Sequence, residues 1–110
     1  MTAEQFKVIF ESRLEKIRQI EEIKGKQYSR GGDRFSHFKD EGDIIPELSL
    51  WYMWHKHITY TKYIIEDIEQ GILPSEKQLN EITTDMMIYP AILEGLIFER
   101  IHNREETKNE

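Results

Sequence analysis

Five basic side chains, Lys24, Lys26, Arg30, Arg34 and Lys39, gather with the single acid Asp33 around the pair Gly31-Gly32. The stretch 24–39 is net +4 in a chain of net −6, so the rest of the chain carries −10. Such a local reversal of sign in a glycine-bearing connection suits a small anionic ligand. Tyr28 and Phe38 flank the basic residues. An aromatic ring can stack a base while Lys and Arg hold its phosphates. The same composition fits a solvated loop that offsets acidic helices, with its two aromatics plugged onto the core. Asp33 beside Arg34 reads either as ligand contacts or as an internal ion pair.

Glu81 and Asp85 are four residues apart, so on a helix both carboxylates project from one face and could share a divalent cation, with magnesium the expected ion. Asp85 adjoins the apolar positions Ile82, Met86 and Tyr89, where a carboxylate needs a cation, a metal or hydrogen-bond donors. A pair of solvated surface acids fits the spacing as well. In Trp54-His55-Lys56-His57, the two imidazoles diverge by about 200° on a helix and cannot ligate one ion. Lys56 and His57 instead suit an acid on another helix, or a ligand phosphate. No serine lies in a nucleophile elbow, and the glycine pair is not a Walker-type phosphate loop.

These residues must be positioned by helices. From Glu4 to about Ile23, apolar residues recur at Phe6, Ile9, Phe10, Leu14, Ile17 and Ile20, the period of an amphipathic helix. Thr2 with Gln5 has capping-box form. Residues 25–45 show no sustained period and carry four glycines, which predicts a long basic loop, with one helical turn near Arg34 to Lys39. Loops of that length are disproportionately functional. Pro46 suits the first turn of a second helix, faced by Trp51, Trp54, Ile58, Thr61, Ile65 and Ile68 and stopped by Gly71. Ser75 caps a third, whose inner face reads Leu79, Ile82, Met86, Tyr89, Leu93 and Leu96 or Ile97. Pro90 falls inside it and should kink or break it.

The expectation is an all-α fold, a single three-helix to four-helix domain over residues 1–103 with a polar, disordered tail at 104–110. At 110 residues there is room for one core. The absence of cysteine excludes disulfides and thiol chemistry and suits a reducing compartment. The first residues form neither a signal peptide nor a membrane span, so a cytoplasmic protein with no membrane partner is expected. The acidic total opposes nonspecific binding to nucleic acid. The broad apolar surface of the second and third helices suggests pairing with another copy, as a homodimer or higher homo-oligomer.

Lys24-x-Lys26-x-Tyr28, Asp33-Arg34-Phe35, Phe38-Lys39, Lys56-His57 and Asp85-x-x-x-Tyr89 occur in this order. From about Phe6 to Ile97 the chain resembles a group of small phage and prophage proteins. That group is distantly similar to the MazG-like all-α nucleoside triphosphate pyrophosphatases and to nucleotide-modification-associated domains. The resemblance implies a helical bundle whose acidic motifs hold magnesium and whose paired subunits enclose a nucleotide. Glu81-x-x-x-Asp85 resembles the later acidic motif of that superfamily. The earlier paired-acid motif has no clean counterpart, Glu11 with Glu15 and Glu21 with Glu22 being the candidates. The implied function is a phosphorylated-nucleotide-binding protein of the host cytosol. Lys24, Lys26, Arg30, Asp33, Arg34, Lys56 and His57 would then be ligand contacts, with Tyr28 near the base and Glu81 and Asp85 on magnesium. Such a protein would sequester its ligand or cleave it as a pyrophosphohydrolase. The alternative is a module that binds a host protein.

Overall fold

The computed structural model describes residues 1–40 and 42–109, with backbone alone at Arg30 and at 106–109. Among the described residues the chain is all-α, with four α-helices, one 3-10 turn and no strand. Helix α1 spans Ala3–Tyr28 and opens on the expected capping box. Thr2 Oγ1 accepts the Gln5 N–H at 3.1 Å, and Gln5 Oε1 accepts the Thr2 N–H at 2.7 Å. The helix outruns its apolar repeat by a turn and a half, because Gly25 alone does not stop it and the Ser29 N–H still reaches the Gly25 carbonyl at 3.2 Å.

The long basic loop is therefore shorter than the sequence suggests, since Lys24, Lys26 and Tyr28 belong to α1. What remains holds the 3-10 turn Arg30–Gly32 and the short helix α2, Ser36–Lys39. Gly31 and Gly32 sit at φ 74° and 87°, which side chains with a Cβ rarely adopt, so the glycine pair lets the chain reverse here. Helix α3 spans Pro46–Glu69 with Pro46 in its first turn. Gly71, at φ 80°, turns the chain after it. Helix α4 spans Glu76–Asn109 and runs unbroken through Pro90. It also continues through 104–109, the stretch read from sequence as a tail.

The core lies where α2, α3 and α4 meet. Phe38, Leu50, Tyr89 and Leu96 are its buried residues, with Phe35, Trp54, Ile92 and Leu93 packed against them. The inner stripe of α3 is displaced from the predicted one. Leu50 and Ile64 are buried, whereas Trp51, Ile65 and Ile68 are exposed. Both stripes have helical spacing, and the positions of α2 and α4 select between them. No residue of α1 is buried. Polar clasps hold it instead: Arg13 Nη2 donates to Asn80 Oδ1 at 2.7 Å and Nη1 to Thr84 Oγ1 at 3.1 Å. Arg100 of α4 pairs with Glu47 in the first turn of α3 through both carboxylate oxygens, fixing the register of those helices.

Candidate functional site

Positions 13, 16, 20 and 24 of α1 follow one another at three-residue and four-residue steps, so Arg13, Lys16, Ile20 and Lys24 share an edge of that helix. Across from them α4 presents Asn80, Glu81, Thr84 and Asp85, and α3 contributes His57. Together they line an open cavity of about 670 Å³. Arg13 is committed to Asn80 and Thr84. Lys16 and Lys24 form no ion pair among the described residues. Two uncommitted ammonium groups thus face one cavity, with three strong donors each.

A smaller cavity of about 110 Å³ adjoins it, and Lys24 and Asp85 line both. Its other walls include Tyr28, Arg34, Phe38 and Tyr89. The Tyr28 ring lies 4.8 Å from that of His37. Burial pushes the Tyr89 hydroxyl up to about 12, helped by the negative charge of Asp85, so this phenol stays protonated at neutral pH.

Asp85 lies beside an imidazole of the neighbouring helix. Its Oδ2 lies 3.3 Å from His57 Nδ1 on α3, and the His57 ring is 5.2 Å from that of Tyr89. Glu81, one turn earlier, is exposed on the cavity rim. Among the described residues no group of three or more His, Cys, Asp or Glu side chains is placed to hold a metal ion. A magnesium ion here would draw the remainder of its coordination from ligand phosphates and water.

The other predicted contacts separate. Arg34 donates from Nε and Nη2 to the Glu21 carboxylate at 2.8 and 3.0 Å, with its guanidinium 5.9 Å from the Tyr28 ring centroid. It is a wall of the small cavity with its Nε and Nη2 engaged by Glu21 and its Nη1 buried without a hydrogen-bond partner among the described residues. Asp33 pairs with Lys39 at 2.7 Å and not with Arg34. The Lys39 hydrogen bond, with that of the Phe35 N–H, holds the Asp33 carboxyl below its usual range. Lys39 also reaches Glu99 at 2.6 Å. Phe38 is a core residue at 2 % exposure. Lys26 and Lys56 are exposed and line neither cavity, and the Arg30 side chain lies outside the described residues. Arg13, Lys16, Asn80 and Thr84 were not singled out from sequence. For Arg13 and Lys16 the basic edge of α1 was the signal, hidden because charges on an amphipathic helix ordinarily mark its solvated face.

Comparison with family models, curated proteins and solved structures gives no match.

Proposed function

We propose that this chain binds a phosphorylated nucleotide in an all-α scaffold of MazG-like type. The phosphates lie in the larger cavity and the base turns toward Tyr28. The observation that carries this reading is the convergence of Lys16 and Lys24, both uncommitted, on a cavity that shares Lys24 and Asp85 with an aromatic-lined chamber. Lysine is a point charge suited to phosphate oxygens. Arg13 adds positive charge while bracing α1 against α4. With Nε and Nη2 of Arg34 engaged by Glu21, the main phosphate contacts assigned to the basic loop pass to the edge of α1. Magnesium, where it accompanies the phosphates, meets Glu81 at the rim.

The reading includes pairing of two copies. Phe6, Ile9 and Phe10 on α1 and Ile97, Phe98 and Ile101 on α4 are exposed by 43 to 68 %, apolar surface that a second copy would cover.

Thermal denaturation against nucleoside mono-, di-, tri- and cyclic phosphates, each with and without magnesium, tests the reading. A bound ligand at about 100 times its Kd adds roughly 2.7 kcal/mol and raises Tm by several degrees. A selective shift supports the nucleotide site. A flat panel rejects it and favours a module that binds a host protein.

A further inference from the structure

We propose that the Tyr89 hydroxyl, together with the Arg34 guanidinium, reads the base of the bound nucleotide and selects an oxo group over an amino group at the edge farthest from the sugar. This rests on the nucleotide reading of the same cavities and names the class of base they take. The smaller cavity, at about 110 Å³, falls below the roughly 300–1,000 Å³ of pockets that enclose a whole small molecule. It therefore takes one end of a ligand whose remainder lies in the larger cavity. Lys24 and Asp85 line both cavities and mark their junction. Tyr89, Arg34, Phe38, Ile88 and Ile92 line the smaller cavity and not the larger. With the phosphates beside Lys16 and Lys24, the edge of the base remote from the sugar meets these inner walls.

Two polar groups in those walls have unmet capacity. Tyr89 is only 8 % exposed, yet its hydroxyl forms no hydrogen bond among the described residues. Unpartnered and not sealed from water, that hydroxyl opens to the cavity Tyr89 lines. Its ring packs 6.4 Å from that of Trp54 and 5.2 Å from that of His57, which holds the phenol in place. Arg34 commits Nε and Nη2 to Glu21. The planar guanidinium turns Nη1 away from that carboxylate, and Nη1 has no partner among the described residues, so this side of the group still presents positive charge. A phenol that donates and a donor-only arginine favour a carbonyl oxygen and oppose an N–H group. The position of a base farthest from the sugar is C6 of a purine and C4 of a pyrimidine. Guanine, hypoxanthine, uracil and thymine carry oxygen there, whereas adenine and cytosine carry an amino group. The carboxylate of this cavity, Asp85, stands at the junction with the larger one, on the sugar side of a base so placed.

The test is calorimetric titration of the full chain with matched pairs of mono- and triphosphates, inosine against adenosine and uridine against cytidine, at one magnesium concentration. The two members of each pair carry the same sugar and phosphates and differ at the distal edge of the base. The oxo member of each pair should bind roughly tenfold or more tightly than the amino member. Y89F keeps the aromatic ring in the core and removes only the hydroxyl. It should weaken the oxo member by roughly fivefold and leave the amino member within about twofold, so that the ratio narrows. Equal affinity within each pair, or tighter binding of the amino member, overturns the inference and leaves the nucleotide site standing. An unchanged ratio in Y89F overturns it as well, and so does an equal loss for both members, which is the signature of a purely structural tyrosine. Failure of every nucleotide to bind ends both readings.

Discussion

At the scale of single residues, the site divides the lysines into those that face a cavity and those that face water. Lys24 lines both cavities, while Lys56 lines neither. A hydrogen bond to a charged group contributes about 1.5–3 kcal/mol, so K24A should weaken nucleotide binding by roughly tenfold or more. K56A should leave it within about twofold, and calorimetric titration of both variants checks the contrast. Tyr89 makes a prediction in alkali. Its hydroxyl ionises near 10.0 in the unfolded chain and near 12 when folded. Between those values the folded state keeps a proton that the unfolded state has lost, so stability falls as pH rises from about 10. Tm measured across pH 9–12 should therefore drop less steeply for Y89F than for the parent. The sequence made His57 legible as a partner for an acid on another helix, because its spacing from His55 ruled out a shared metal. It left Arg34 open, since the helix that presents Glu21 to it is fixed by tertiary packing.

At the scale of elements, local chemistry set most boundaries. The Thr2-Gln5 box opens α1, Pro46 opens α3, and Ser75 with Gln78 opens α4 through reciprocal hydrogen bonds of 2.9 and 3.1 Å. These signals act over three or four residues and need no fold to be read. The end of α1 was less legible, because a glycine and two lysines permit both helix and loop. Pro90 is exposed inside α4, where it removes an amide donor and crowds the preceding turn, at about 3 kcal/mol relative to alanine in an exposed helix. P90A should accordingly raise Tm by several degrees, measured by circular dichroism, with ligand shifts preserved. A lower Tm would mean that packing in α4 depends on the proline.

At the scale of the whole molecule, the body measures 58 × 32 × 25 Å, its length set by α4 and its thickness by two or three helix diameters. Such a slender bundle has too little interior for its apolar residues, which leaves Phe6, Ile9, Phe10 and Phe98 in water. Sedimentation should show a self-associating species, and F10E combined with F98E should shift it toward the monomer while leaving the far-ultraviolet spectrum unchanged. Among the described residues no helix is long and apolar enough to cross a membrane. The sequence by itself determined the helical class, the helix starts and the availability of basic, aromatic and acidic groups, because periodicity and capping are properties of neighbouring residues. Only the tertiary structure decided which stripe of α3 faces inward and which cations stay uncommitted. It also decided that Lys24, His57 and Asp85 from three helices meet at one cavity. Those outcomes depend on how helices cross and rotate, and their side chains lie dozens of residues apart along the chain.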